Sequence, residues 1–324
     1  MTAAPRVTVI MPTHDRAAYL GEAIHSVLTQ RFTDLELIVV DDGSTDATPA
    51  LLAALPDPRL RVLRQPHRGI SAAMNAGLRA ARGEYLARLD SDDRWHAEML
   101  QAAVAHLDAD ARVGVVYARG RAMDASGAPL QAIVGGPPRF PDDALRSFVY
   151  DDFTCNIAVV ARRACVERAG GYDEALIANE DWDLWMRVAR DARFAFLDRV
   201  LAEFRWHDGN LTGYRSPALR AVLDSRRVPL DKLFATPDLP PEVLAMRPIA
   251  YENVALFRGQ RLLDAGAPRE AWQAFRAALG HSTTPARTAA RIVWLGFVSR
   301  ALRRSAVGRR LLAARARRAR RRAA

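Results

Sequence analysis

Gly83-Glu84-Tyr85-Leu86-Ala87-Arg88-Leu89-Asp90-Ser91-Asp92-Asp93 is the stretch whose reading decides how the rest of the chain is understood. Tyr85 to Leu89 is aromatic and apolar after a glycine break, the pattern of a short buried strand. It runs straight into Asp90, Asp92 and Asp93, with Ser91 among them. Carboxylates crowded at a strand end repel one another unless a positive charge sits among them. Mg2+ and Mn2+ take oxygen ligands and typically bind one or two carboxylates together with substrate phosphates. The carboxyl end of a strand is also where open α/β sheets bind ligands. Two readings follow: a metal–diphosphate site, or a solvated Asp-rich turn capping the next helix, since Asp is a favoured N-cap.

Outward from this stretch, strands and helices alternate. Val7-Thr8-Val9-Ile10-Met11 is a β-branched run ended by Pro12, a first strand followed by the loop Pro12-Thr13-His14-Asp15-Arg16. A helix is expected at about 18–29, with Leu20, Ile24, Val27 and Leu28 on one face. Leu35–Val40 reads as a second strand and ends in Asp41-Asp42-Gly43-Ser44-Thr45-Asp46, where glycine permits a turn and Ser44 or Asp46 can cap a helix. A third short strand is expected at 60–63, a helix at 70–82, a helix at 96–107 and a fifth strand at 113–117. This alternation at short spacing predicts an α/β fold with a parallel sheet covered on both faces. Three strands end in Asp-bearing loops, and loops after parallel strands share one sheet edge, so these acids can converge. No G-x-G-x-x-G follows the first strand and no G-x-x-x-x-G-K-[ST] occurs, which argues against a dinucleotide fingerprint or a P-loop.

From Ala118 to Phe148 the pattern weakens, and Gly135-Gly136-Pro137-Pro138 marks an irregular loop. Asn156–Ala161 is strand-like, residues 163–169 helical, and Gly170-Gly171-Tyr172-Asp173-Glu174 a turn. In Asn179-Glu180-Asp181-Trp182-Asp183-Leu184-Trp185 the apolar residues fall at helical spacing, which puts Glu180 and Asp181 in a first helical turn. There the helix dipole favours carboxylates, which is one reading of both acids. The other is a general base, one carboxylate beside a buried aromatic pair ready to accept a proton. Trp182 and Trp185 themselves read as core, and His14 and His67 as loop residues. Arg68 suits either phosphate or solvent. Two short strands, 194–197 and 201–205, lead to Trp206-His207.

The composition, 50% hydrophobic and 26% charged over 324 residues, is that of a globular chain. No apolar run approaches the roughly 20 residues of a membrane span, and Met1–Arg6 carry no apolar signal segment. Cys155 and Cys165 form no metal pattern and read as buried packing residues in a reducing cytosol. The net charge of +10 is unevenly spread. No acid follows Glu270, and residues 271–324 hold fourteen arginines, so the remainder carries 10 − 14 = −4. With 46 arginines against one lysine, Lys232, the bias reads as genomic before functional, though Arg also suits phosphate contacts.

Taken in order, Val9–Arg16, Val39–Asp46, Asn75-x-Gly77 leading to Gly83-Glu84-Tyr85, Leu89–Asp93, Gly171–Glu174, Glu180-Asp181-Trp182 and Phe204-Arg205-Trp206-His207 resemble family 2 glycosyltransferases, inverting enzymes with the GT-A fold. The resemblance covers about residues 5–215. It implies a Rossmann-like, mostly parallel central sheet, followed here by a helical C-terminal extension. It also implies that Pro12, Thr13 and Asp15 line a nucleoside pocket, with Asp41 or Asp42 meeting base and ribose. Asp90 and Asp92 would form the metal-binding motif for Mn2+ or Mg2+, flanked by Ser91 and Asp93. Asp181 would be the base, Glu180 its neighbour, and His207 would reach the metal or the diphosphate. Ala97 departs from the family, where Pro commonly starts the following helix; this weakens a helix-start preference and touches no chemistry. The chemistry is consistent, because a sugar hydroxyl needs a base to attack an anomeric carbon, and a departing nucleoside diphosphate needs its charge neutralised. One displacement inverts that carbon.

The implied function is transfer from a nucleotide sugar, UDP-linked before GDP- or dTDP-linked, to a glycan or lipid-linked acceptor in cell-surface polysaccharide synthesis. The rivals are a non-catalytic module that keeps the fold, and a nucleotidyltransferase, which would release pyrophosphate. Beyond Pro217 the chain turns helical at 218–234, 242–264 and 269–279, broken by Pro237-Asp238-Leu239-Pro240-Pro241 and Asp264-Ala265-Gly266-Ala267-Pro268. The pair around Gly266 resembles one tetratricopeptide hairpin, a cap or interaction module. The expected organisation is thus 1–216 catalytic, 217–285 helical extension and 286–324 basic tail. In that tail Ile292–Val298 is too short to span a bilayer, but a basic helix with Trp and Phe can lie in a membrane interface. Peripheral attachment to an anionic cytoplasmic membrane face is expected, ahead of a disordered tail or nucleic-acid binding.

Overall fold

β1 (Val7–Thr13) forms the centre of one half of the sheet, and every residue of it is buried. It pairs in parallel with β2 (Leu35–Asp42) on one side and β4 (Tyr85–Arg88) on the other, and β3 (Leu60–Gln65) extends β2 outward. β1 and β2 are buried on both faces and so read as near-continuous apolar runs, whereas β3 at the edge is only partly buried. The computed structural model describes residues 4–211, 213 and 216–298, and the chain divides into two units, 1–244 and 245–324.

Between the strands lie α1 (Ala17–Leu28), α2 (Thr48–Ala53) and α3 (Ile70–Ala80). Val9 and Met11 point with Leu37, Val39, Ala87 and Leu89 into the core beneath Leu20, Ile24 and Val27 of α1. α3 covers the opposite face. A Cβ on Gly77 would collide with the Ile10 side chain, so glycine there is what lets α3 approach the sheet. Asn75 accepts from Tyr172 N at 2.9 Å and donates to Tyr172 O at 2.8 Å, tying α3 to the Gly171–Glu174 turn.

After β4 the sheet departs from the expected parallel order. β5 (Arg94–Trp95) precedes α4 (Met99–Ala109), then β6 (Val113–Met123) and β7 (Pro129–Val134) form a hairpin. α5 (Ala144–Tyr150) follows, and a 3-10 turn at Asn156–Ala158 leads into β8 (Val159–Arg162) and α6 (Arg163–Arg168). β8 runs antiparallel to both β4 and β6. α7 (Glu180–Val188) then leads to β9 (Arg193–Arg205), parallel to β6. The nine-stranded order is β3-β2-β1-β4-β8-β6-β9-β5, with β7 beside β6. The result is a mixed α/β sheet, parallel in its first half and mixed in its second.

Three expectations change. The 118–148 stretch, where the pattern weakens, holds regular elements on either side of the irregular Gly135–Pro138 loop, because β6 continues to Met123 and bears β8 and then β7 along one edge. The strands expected at 194–197 and 201–205 are one strand, and shifts of register against β6 absorb the polar Asp198-Arg199 between them. The helix expected from His96 begins at Met99, since Arg94 and Trp95 pair with β9 and His96 N donates to Leu201 O at 2.9 Å. Both cysteines are buried and free, as expected.

α8 (Leu219–Ser225), α9 (Val228–Phe234) and α10 (Pro241–Leu244) complete the first unit. The expected 218–234 helix is split before Pro229, and the 242–264 helix before Pro248, because proline lacks the N–H a continuing helix needs. Lys232 Nζ lies 2.6 Å from both Asp173 and Asp183, pinning α9 to α7. The second unit holds α11 (Arg247–Asp264), α12 (Pro268–His281) and α13 (Pro285–Val293), then a π-turn at 294–298. There Phe275 lies against Gly259 across the α11–α12 pair. Buried Glu252 accepts from Thr288 Oγ1 at 2.9 Å and from Arg291 at 2.7 Å. Among the described residues no helix is long and apolar enough to cross a membrane. The tail beyond Val298 lies outside the described residues.

Candidate active site

Because β1 lies between β2 and β4 and parallel to both, the loops after Thr13, Asp42 and Arg88 emerge at one edge. Pro12 and Thr13 end β1 and are buried. Thr13 Oγ1 and Ser71 Oγ, both buried, have no hydrogen-bond partner among the described residues. Asp15 sits at φ 50° and accepts from Thr45 N at 2.7 Å and Asp46 N at 3.2 Å. Those two amides hold its carboxyl below the usual range. Asp41 accepts from Ser44 N at 2.8 Å. Asp42 accepts from Gln65 at 2.7 Å, Arg68 N at 2.9 Å and Gly69 N at 2.8 Å, with His67 Nδ1 at 2.9 Å. Burial pushes its pKa up, but these donors outweigh burial and leave it lowered. Gly43 has φ +78°, and a Cβ there would lie 2.7 Å from His67 N, so the turn admits only glycine.

Asp15, Asp41 and Asp42 therefore knit the loops after β1 and β2 together through main-chain amides. Beside them the rings of His14 and His67 stack 4.1 Å apart at 27°, each with Nδ1 on the Asp42 carbonyl. Arg68 is drawn to Glu174 at 2.9 Å.

The Asp90–Asp93 loop is sorted by its cations. Arg88, 6% exposed, gives Asp90 two hydrogen bonds at 2.7 and 3.2 Å and reaches Glu180 at 2.9 Å with its third nitrogen. Asp92 Oδ2 lies 2.9 Å from His207 Nε2 and 3.4 Å from Arg16 Nε. Asp93 accepts from Arg205 N at 2.7 Å. Burial raises Asp90, with Arg88 opposing, and raises Asp93 strongly, with the charges of Asp92 and Asp90 adding to it. At Asp92 burial also pushes upward, but His207 and Arg16 outweigh it and the net shift is down. Ser91 is buried.

Glu180 and Asp181 open α7 after Asn179, which takes the left-handed conformation at φ 59°. Their surroundings differ. Glu180 is buried on Arg88, whereas Asp181 is half-buried, accepts only from Trp182 N at 2.7 Å in the hydrogen bonds seen, and has no salt-bridge partner among the described residues. Burial first, then the charge of Asp152 in the loop after α5, raises Asp181 above the ordinary range.

Among the described residues no cluster of three or more metal-ligating side chains is assembled. Of the residues expected to ligate, Asp92 and His207 meet, and Asp90 is turned to Arg88. An Asp92–His207 separation of 2.9 Å matches the roughly 3 Å ligand edge of an octahedron with bonds of about 2.1 Å. Mg2+-type sites use one or two protein ligands and leave the remainder to phosphate and water, so this pair fits such an ion. Arg88, Arg16 and Arg205 were not foreseen as site residues. Arg88 alone left a trace, a charge inside an otherwise apolar strand and two residues before Asp90, hence on the same strand face.

Residues 8–166 match the family model described as Glycosyl transferase family 2. The chain is 44% identical over 106 residues to the succinoglycan biosynthesis protein ExoO of Rhizobium meliloti (strain 1021), which covers 32% of this chain and 30% of that protein. It is 24% identical over 208 residues to the chondroitin synthase of Pasteurella multocida (strain Pm70), covering 64% of this chain and 21% of that one. The chain thus spans about a third or less of these relatives' lengths. Among solved structures it resembles S. aureus TarS 1-349 in complex with UDP-GlcNAc, with TM-score 0.62 and 20% identity over 90% of this chain and 89% of that one. It likewise resembles the mannosyltransferase PcManGT of Pyrobaculum calidifontis in complex with GDP-Man and Mn2+, with TM-score 0.60 and 24% identity over 96% and 84% of the two chains. At these identities the likeness is one of fold. The matched domain, residues 8–166, is that of a family 2 glycosyltransferase, and the sheet that carries it has the GT-A fold.

Proposed function

We propose that the protein transfers a sugar from a nucleotide-sugar donor, UDP-linked before GDP-linked, to a hydroxyl of a glycan or lipid-linked acceptor with inversion. One observation carries this reading: adjacent acids at the start of α7 have different partners. Glu180 is paired with Arg88, which leaves Asp181, with a raised pKa and no ion-pair partner among the described residues, to take the acceptor's proton. Pro12, Thr13, the His14–His67 pair and the Asp41-Asp42 turn offer the nucleoside pocket, and Ser91 and Asp93 shape the loop beside it. Arg88 holds Asp90 and Glu180 in one array, so that the donor's leaving end and the acceptor's base are kept in fixed relation. Asp92 and His207 would hold a divalent cation, which supplies Lewis-acid neutralisation of the departing diphosphate. The inverted product follows from a single in-line attack assisted by one base.

Polysaccharide assembly is the setting suggested by the names of ExoO and chondroitin synthase, proteins of which this chain matches only part. The second unit exposes Trp272 (57%), Val293 (53%) and Trp294 (39%), and fourteen arginines follow Glu270. This unit is assigned to peripheral contact with an anionic membrane face, on the cytoplasmic side, where lipid-linked acceptors would be met. The test is a donor panel with Mn2+ or Mg2+, read by product identity and anomeric configuration. A released nucleoside diphosphate with inverted linkage is expected. Release of pyrophosphate, or no nucleoside-diphosphate binding with metal present, overturns the assignment.

A further inference from the structure

Arg205 ends β9, and its side chain is almost wholly enclosed. Its donors are spread over the loop after β4 and the turn between β6 and β7. The main-chain N–H goes to Asp93 at 2.7 Å, Nε to the Asp92 carbonyl at 2.9 Å, and one terminal nitrogen to the Ala125 carbonyl at 3.2 Å. The other terminal nitrogen binds the Glu22 carboxylate of α1, which also pairs with Arg94. The Tyr19 ring, one helical turn before Glu22, lies 4.9 Å from the Arg205 guanidinium. The same ring lies 4.8 Å from the His207 imidazole, tilted at 31°. His207 Nε2 then meets Asp92 Oδ2 at 2.9 Å, and Asn210 accepts from His207 N at 2.6 Å.

These contacts close a loop: Arg205 to the Asp92 main chain, Asp92 to His207, His207 to Tyr19, and Tyr19 back to Arg205. A buried guanidinium on main-chain carbonyls, countered by a carboxylate, fixes backbone rather than binding substrate. We propose that Arg205 and Tyr19 are positioning residues that hold the Asp92 carboxylate and the His207 imidazole in the one arrangement that receives the donor's diphosphate with its cation. The assignment rests on the donor reading above. Neither side chain hydrogen-bonds the loops after β1 and β2 in any bond seen, so its loss acts on the diphosphate end of the donor and spares the nucleoside end. Outer-shell partners of metal ligands commonly contribute 10- to 100-fold to affinity.

The experiment compares wild type, Tyr19→Leu, Tyr19→Phe and Arg205→Lys on the full chain. Calorimetry measures binding of UDP with Mn2+ and of uridine alone, and thermal unfolding establishes that each variant is folded. Tyr19→Leu and Arg205→Lys are expected to weaken UDP–Mn2+ by at least tenfold and to leave uridine within about twofold. Tyr19→Phe, which keeps the ring, stays near wild type. Tyr19 is only partly buried, so Tyr19→Leu remains informative if Arg205→Lys does not fold. Wild-type UDP–Mn2+ affinity in folded Tyr19→Leu overturns the proposal, as does equal loss of UDP and uridine. A wild type that binds UDP with no contribution from metal also overturns it and leaves the donor reading intact. A wild type that binds no nucleoside diphosphate overturns the donor reading, and the positioning role with it.

Discussion

At the residue scale the proposed reading rests on Asp181 as the base and Arg88 as the cation that sorts the acids around it. Asp181→Asn keeps the shape of the side chain and removes the proton acceptor. Turnover is expected to fall by about 10²–10⁴-fold with donor affinity nearly unchanged. A steady-state assay beside a donor titration checks this, and a loss below about tenfold would move the role to Glu180. The pH dependence has a definite sign. Asp181 works only when ionised, and its pKa lies above the ordinary Asp value of about 3.9. Activity is therefore lost as pH falls through that raised value, and the acid limb of kcat/KM stands above an ordinary Asp limb. Asp152→Asn removes a neighbouring negative charge and is expected to move the limb toward lower pH, while Arg88, Asp90 and Glu180, the other charges near Asp181, stay in place. Arg88→Met leaves buried Glu180 and Asp90 without their cation. Removing one partner of a buried pair typically costs about 3–5 kcal/mol, which chemical denaturation would register.

At the scale of elements, α3 packs tightly against β1 in the half of the sheet that bears the Asp-rich loops. The Asn75-x-Gly77 pattern is a packing device: Asn75 grips the main chain of Tyr172, and Gly77 leaves room for Ile10. Gly77→Ala adds one methyl where none fits, and overpacking of this kind costs about 1–3 kcal/mol. The denaturation midpoint should fall with an unchanged m-value. β9 does a different job. Its thirteen residues span from the edge near Val113 to Arg205, so one strand delivers Arg205 and, two residues on, His207 to the Asp92–Asp93 loop.

The whole molecule is electrically divided, −4 up to Glu270 and +14 beyond it. Each basic residue near an anionic surface contributes on the order of 1 kcal/mol, so a fraction of the fourteen suffices for peripheral binding. The place of truncation matters. Cutting after Thr284 would strip α13 and leave buried Glu252 without Thr288 and Arg291. Cutting after Val298 spares those contacts and removes eleven arginines. Co-sedimentation of the full chain with anionic vesicles at physiological salt is expected, with neutral vesicles leaving it in solution. The Val298 truncation should remain in solution with both. Equal sedimentation of the two proteins with anionic vesicles would remove the tail from this role.

The sequence by itself determined the first half of the sheet and the convergence of its acidic loops. Those are local matters: apolar runs too short for helices, broken by Pro12, Gly43 and Gly83, with Asp wherever a strand ended. It placed Glu180 and Asp181 in a first helical turn for the same reason. Only the tertiary structure decided what each acid does, because a carboxylate's role depends on which cation or amide reaches it across the fold. Arg88 lies 92 positions from Glu180, and His207 lies 115 from Asp92. Asp15, Asp41 and Asp42, expected to meet the nucleotide, each accept from main-chain amides of the neighbouring loops. The order within 118–148 and the unity of β9 were hidden likewise, since β7 and the Asp198-Arg199 bend are strand only through pairing with β6, a contact that residue pattern alone does not encode.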